Sequence, residues 1–249
     1  MNAPSPAPND VAAAAAQDFA RAVSARWNAH LGPGLLGVYL LGSLAHGGFS
    51  HRYSDIDMAL IVEAPLSPPA IEALRADAAK VSNDLTMKLS IFWANRGFSA
   101  GRFPLLDRID YLDHAVTLIE RMRVAPPRPT LAEVRAYLSG APFESWSADA
   151  ERFARAETLE AKDHKPFLRT LLYPARFVYS WSTGRMGSND DAVAFLTDRD
   201  LPSLDVALVA QALECRRAAA DPDPLFPARA ALPRQVAACA ELAAGSSVA

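Results

Sequence analysis

The chain has 249 residues, of which 51% are hydrophobic and 21% charged, so it can bury at least one sizeable core and is not wholly disordered. Its 25 Lys and Arg residues against 28 Asp and Glu residues leave a formal net charge of -3, which argues against a broad basic face for nucleic acid. Cys215 and Cys239 form no CxxC pattern, so we expect neither a zinc site nor a disulfide framework, and predict a reducing cytoplasm. No segment has the pattern of a signal peptide or of a membrane span, so no membrane partner is expected.

The first half of the chain predicts a small α/β unit. Residues 1–8 are predicted to form a flexible tail, and residues 9–30 a helix with one stripe of apolar side chains at four-residue intervals. The stripe consists of Val11, Ala15, Phe19, Val23 and Trp27. Apolar stretches rich in β-branched or aromatic residues predict three strands, at residues 36–41, 55–62 and 87–93. An amphipathic helix over 71–83 completes a small mixed sheet with flanking helices.

A proline-rich segment around residues 126–129 divides the chain into predicted domains over residues 9–125 and 130–249. Just before it, residues 112–122 have a helical pattern. No convincing strand pattern follows Thr130, which starts a helix through the capping box Thr130-Leu-Ala-Glu133. Further helical patterns predict an all-helical C-terminal bundle, and they cover residues 146–161, 166–183, 189–198, 203–219 and 228–244.

Two carboxylates, Asp55 and Asp57, stand two residues apart at the start of the second predicted strand. Because side chains alternate along a strand, both should project from the same face. The neighbouring sequence supplies little positive charge, so a hard divalent cation is the simplest reason to hold the two together. Mg²⁺ is commonly held by one or two carboxylates together with substrate phosphates, which predicts a nucleotide-bound ion. Two solvated acids at the mouth of a strand are the alternative.

Gly42 and Ser43 follow the first predicted strand directly and come about a dozen residues before Asp55. A glycine at this place lets the backbone approach a phosphate, and the amides at a helix start favour an anion. The serine hydroxyl adds a further donor. A lone Gly-Ser pair would be an ordinary turn, but a strand, Gly-Ser and then Asp-x-Asp on a second strand form a much more specific pattern.

The stretch Leu41-Gly-Ser-Leu-Ala-His-Gly-Gly-Phe-Ser-His-Arg-Tyr-Ser-Asp-Ile-Asp57 resembles the signature of the nucleotidyltransferase superfamily related to DNA polymerase β, and especially that of its aminoglycoside adenylyltransferases. Residues 168–185 and the helix after them resemble the helical C-terminal domain of those enzymes. The resemblance implies Mg²⁺-dependent transfer of AMP from ATP to a hydroxyl of a small, aminoglycoside-like molecule, with loss of pyrophosphate. Asp55 and Asp57 would then be the catalytic metal ligands. The residues implied to bind the nucleotide are Gly42, Ser43 and Arg176.

The family has a third carboxylate on the next strand, a general base that takes the proton of the acceptor hydroxyl. Lys88 and Ser90 stand where that base is expected, and a protonated lysine cannot accept the proton. Four other acids could substitute for it, namely Asp84, Asp107, Asp110 and Asp113. Asn189 aligns with a lysine that the family uses near the phosphates. A catalytically impaired or inactive nucleotide-binding homologue therefore stays open, as does a transferase acting on a protein.

The acceptor itself is only weakly indicated by the sequence. Six acids against three basic residues lie between residues 144 and 163, a composition that would suit a cationic acceptor. A solvated helix surface has the same composition. A polymerase or a tRNA-modifying enzyme shares the superfamily motif, but the net charge and the lack of a basic tract argue against a nucleic-acid partner.

Overall fold

The computed structural model describes residues 8–199 and 201–245. The predicted tail over residues 1–8 thus lies outside the described residues except for Pro8, which begins the first helix. The chain divides into two compact units between Arg128 and Pro129. None of the described helices combines the length and the apolar composition needed to cross a membrane.

The first unit alternates helices with the five strands of one sheet. Its elements in chain order are α1 (Pro8–Leu31), β1 (Leu35–Leu41), α2 (Gly42–Ala45), β2 (Ile56–Val62), α3 (Pro68–Ala79), α4 (Asn83–Thr86), β3 (Leu89–Asn95), β4 (Gly101–Arg102), α5 (Leu105–His114) and β5 (Val116–Glu120). The strand order is β4-β3-β2-β1-β5, with β2 and β3 parallel and every other pair antiparallel. This mixed sheet confirms the predicted α/β class.

Both faces of the central strands are buried, which explains why β1 is apolar throughout. On one face Val38 and Leu40 share a core with Phe19 and Trp27 of α1. On the other face Tyr39 and its neighbours contact a second cluster, whose members include Leu41, Ala59, Ile61, Phe103 and Tyr111. Tyr111 lies on α5, so this helix covers that second face of the sheet. Asp57 is two residues before Ala59 and therefore belongs to the same face.

Two local predictions in the first unit were wrong. The helix predicted over 112–122 ends at His114, and Val116–Glu120 instead forms β5, antiparallel to β1. Pairing with the free side of β1 satisfies backbone groups that a continued helix would leave on the sheet edge. In α1, Val11 and Ala15 are exposed while Ala16 is buried, because a helix advances 3.6 residues per turn and a four-residue interval drifts off the buried face.

The described part of the second unit contains helices and no strand. They are α6 (Leu131–Ser139), α7 (Ala141–Arg155), α8 (His164–Thr183), α9 (Asn189–Thr197), α10 (Val206–Arg217) and α11 (Leu232–Gly245). The long helix α8 packs against all five others. The capping box at Thr130 is present, as predicted, whereas the helix predicted over 146–161 begins at Ala141 and ends at Arg155.

Candidate active site

The start of α2 lies against the carboxylate of Asp57. Leu41 at the end of β1 is the register partner of Asp57 on β2, and Gly42 follows with a φ of 61°. A Cβ added to Gly42 would lie 2.4 Å from Asp57 Oδ2. The left-handed backbone and this close approach both favour glycine. The predicted phosphate-binding glycine and a predicted metal ligand are therefore neighbours in space.

Asp57 is surrounded by negative charge. Its pKa is raised to about 7, first by burial and then by the charges of Asp55, Asp107 and Asp110, while a hydrogen bond from Ser90 acts in the opposite direction. The interaction with Asp55, which immediately precedes β2, agrees with two carboxylates on the same side of the chain. Carboxylate oxygens are ligands that Mg²⁺ prefers, and a divalent cation would relieve the repulsion between these negative charges. The carboxylates at Asp55 and Asp57 therefore fit a Mg²⁺ site.

Asp110 links α5 to the start of α2 by hydrogen bonds. Its side chain is 3% exposed, its Oδ2 accepts a hydrogen bond from the Gly42 amide at 2.7 Å, and its Oδ1 lies 2.6 Å from His46 Nε2. The Gly42 amide is thus satisfied within the protein. Because Gly42 has no side chain, the Asp57 carboxylate can lie directly against the backbone at the start of α2.

Ser43 is held by the turn that leads to Asp55. The Ser43 hydroxyl donates to Ser54 Oγ at 2.8 Å, and the same oxygen accepts from the Ser50 amide at 2.9 Å. Since Ser54 is buried and adjacent in sequence to Asp55, these bonds tie the Gly-Ser element to the carboxylate pair.

The two residues at the predicted place of the missing base lie in different positions. Ser90 is on β3, in parallel register with Asp57, and it hydrogen-bonds to the Asp57 carboxylate. Lys88 precedes β3 and its Nζ donates to the carbonyl of His51. Strand β3 contains no acidic residue, so the additional carboxylates that act on Asp57 come from α5.

The remaining candidates lie elsewhere. Asp84 is exposed in the first turn of α4, and Asp113 forms an ion pair with Arg128. Arg176 is half-buried on α8 of the second unit. Asn189 is the first residue of α9, directly after the capping residue Ser188.

The acidic stretch of the second unit is largely charge-paired. Asp149 pairs with Arg152 and Arg169, and Asp163 also pairs with Arg152. Two further ion pairs join Glu151 to Arg155 and Glu160 to Lys162. These contacts favour the interpretation of this stretch as a solvated surface.

The link from Asp110 to Gly42 and His46 was not predicted. The available signal was the spacing of Asp107 and Asp110, which places both on one face of a helix. The spacing alone does not show which part of the sheet this helix face contacts.

Comparison with solved structures identifies a similar fold over most of the chain. The crystal structure of spectinomycin adenyltransferase AAD(9) from Enterococcus faecialis, with ATP and spectinomycin, matches with a TM-score of 0.61 and 14% identity, covering 89% of this chain and 99% of that one. A toxin-antitoxin structure with AMP-PNP matches at 20% identity with a TM-score of 0.31, covering 53% and 91%. No protein-family model and no curated protein matches the sequence. The chain therefore has an aminoglycoside adenylyltransferase-like fold, as the resemblance implied.

Proposed function

We propose that the chain is a nucleotidyltransferase that moves AMP from ATP to a hydroxyl group of a small molecule in a Mg²⁺-dependent reaction. The observation that carries the proposal is the approach of Gly42 to Asp57, beside Asp55, in a chain with an adenylyltransferase-like fold. A glycine that lets the backbone at the start of α2 lie directly against a pair of carboxylates brings the Gly-Ser element to the proposed metal and phosphate site.

Asp55 and Asp57 would hold the Mg²⁺, which when bound neutralises charge that develops on the transferring phosphoryl group. To donate to a phosphate, the Ser43 hydroxyl would turn away from Ser54 Oγ, its acceptor in this structure, and Gly42 would hold the Gly-Ser backbone beside the carboxylates. Arg176 is the residue of the second unit that we assign to the nucleotide. In this proposal residues 9–125 are the nucleotidyltransferase domain and residues 130–249 its helical C-terminal domain.

The acceptor we propose is a small molecule with a hydroxyl group, and its cationic character is proposed only from the resemblance to aminoglycoside adenylyltransferases. The AAD(9) structure contains spectinomycin, a compound that makes a rational first acceptor to test. Neither nucleic acid nor a membrane is part of the proposal. Cys215 and Cys239, both within the described residues, are not joined by a disulfide, which fits the proposed cytoplasmic location.

Pyrophosphate release tests the proposal directly. Purified protein is incubated with ATP, Mg²⁺ and a panel of aminoglycosides and spectinomycin, and the acceptor is examined by mass spectrometry for added AMP. Asp55→Asn and Asp57→Asn should each lower the rate to background while the circular dichroism spectrum is unchanged. Asp84→Asn removes an exposed acid of equal charge and should keep the wild-type rate. A full rate in either active-site variant would refute the assignment.

A second candidate function is a nucleotide-binding homologue without catalysis. It is favoured by one observation, that β3 presents Ser90 and no carboxylate next to Asp57. This candidate predicts ATP–Mg²⁺ binding by calorimetry that is lost in Asp57→Asn, with no pyrophosphate release for any acceptor. Release with a single acceptor would exclude it.

A further inference from the structure

Helix α5 brings two acidic side chains to the Asp55–Asp57 pair. Asp107 and Asp110 are three residues apart, so they lie on the same face of α5. The hydrogen bond from the Gly42 amide to Asp110 fixes this face at the start of α2, and Gly42 in turn lies against the Asp57 carboxylate. The negative charges of Asp107 and Asp110 both act on Asp57, which agrees with this placement.

The two acids differ in how far they are exposed to solvent. Asp110 is buried, and its two oxygens are engaged by Gly42 and His46, so it serves as a structural anchor. Asp107 lies about one helical turn closer to the start of α5 and is only half-buried. A carboxylate that is partly open to solvent, on the face that α2 fixes beside Asp57, can be reached by a bound acceptor.

Strand β3 does not supply a carboxylate that could act as a general base. Its residue opposite Asp57 is Ser90, whose hydroxyl hydrogen-bonds to Asp57, and the strand contains no acidic or histidine side chain. A serine hydroxyl is a poor acceptor for the proton of another hydroxyl. Helix α5, which packs against the same face of the sheet, does supply carboxylates that act on Asp57.

We propose that Asp107 is the general base of the transfer, a catalytic carboxylate supplied by α5 in place of one on β3. This inference rests on the proposed function. The acceptor oxygen forms a bond to the α-phosphorus of ATP, and the bond from that phosphorus to the oxygen bridging to the β-phosphate breaks. The bridging oxygen keeps the electron pair and leaves in pyrophosphate, while the acceptor proton passes to the Asp107 carboxylate.

The test compares Asp107→Asn with Asp107→Glu and with the control Asp84→Asn. General-base help typically contributes about 10²–10⁴-fold, so Asp107→Asn should slow pyrophosphate release at least about 100-fold. The variant should still bind ATP–Mg²⁺, measured by calorimetry, because Asp55 and Asp57, the proposed ligands of the ion, are unchanged. Asp107→Glu keeps a carboxylate and should exceed the Asn variant at least ten-fold.

Different results overturn the two proposals. A wild-type protein that releases no pyrophosphate with any acceptor refutes the proposed function itself. An active wild type combined with a smaller loss than about 100-fold in Asp107→Asn refutes only the role of Asp107. Loss of ATP–Mg²⁺ binding in that variant, or equal rates for the Asn and Glu variants, would also overturn it.

Discussion

Replacing Asp57 by Asn should make the first unit more stable at alkaline pH. The pKa of Asp57 is about 7 in the folded chain, against a usual value of 3.8. Between these values the folded chain binds more protons at Asp57 than the unfolded chain does, so the free energy of unfolding falls as the pH rises. Asn is neutral at every pH and cannot show this dependence.

The expected magnitude follows from the size of the shift. A difference of about three pKa units corresponds to about 4 kcal/mol when it is fully expressed, at 1.36 kcal/mol per unit. Between about pH 5 and about pH 8 only part of this difference is expressed. The free energy of unfolding of the wild type should therefore fall by roughly 2–3 kcal/mol relative to Asp57→Asn over this range. Nearby acids titrate as well, so the difference between wild type and Asp57→Asn isolates the contribution of Asp57.

Urea denaturation in EDTA at both pH values measures this difference, with Asp84→Asn as the control. We expect the wild type and the control to lose stability together as the pH rises, relative to Asp57→Asn. Excess Mg²⁺ should restore stability to the wild type at about pH 8 and have a much smaller effect on Asp57→Asn, since a ligand stabilises the state that binds it. If the stability of the wild type changed with pH in the same way as that of Asp57→Asn, the conclusion that burial and negative charge raise the pKa of Asp57 would be refuted.

Two further substitutions test how α2 is built around Asp57. Gly42→Ala places a Cβ 2.4 Å from Asp57 Oδ2 at a φ of 61°, so it should cost at least about 1 kcal/mol of stability and abolish ATP–Mg²⁺ binding, as read by thermal denaturation and calorimetry. Unchanged binding would contradict the close approach. Asp110→Ala leaves the Gly42 amide and His46 without their acceptor and should cost about 1–3 kcal/mol in urea denaturation. The control Asp113→Ala removes a surface ion pair on the same helix and should cost less than about 1 kcal/mol, so equal losses would count against the anchoring role.

The sequence determined the elements whose pattern is local. The apolar run of β1, the Gly-Ser pair and the alternation of Asp55 with Asp57 all lie within one short segment, and strand geometry alone relates them. The capping box at Thr130 was equally predictable, because its two partners are three residues apart and bond to each other's backbone.

Tertiary structure decided the features that depend on residues distant in the chain. Residues 116–120 form a strand because β1 offers them an unpaired edge, although their own pattern continues a helix. Asp107 and Asp110 reach the carboxylate pair because Tyr111 packs α5 onto the sheet and Asp110 accepts the Gly42 amide, 68 residues away in sequence. Local periodicity states which side chains share a face, but only packing and long-range hydrogen bonds decide what that face meets.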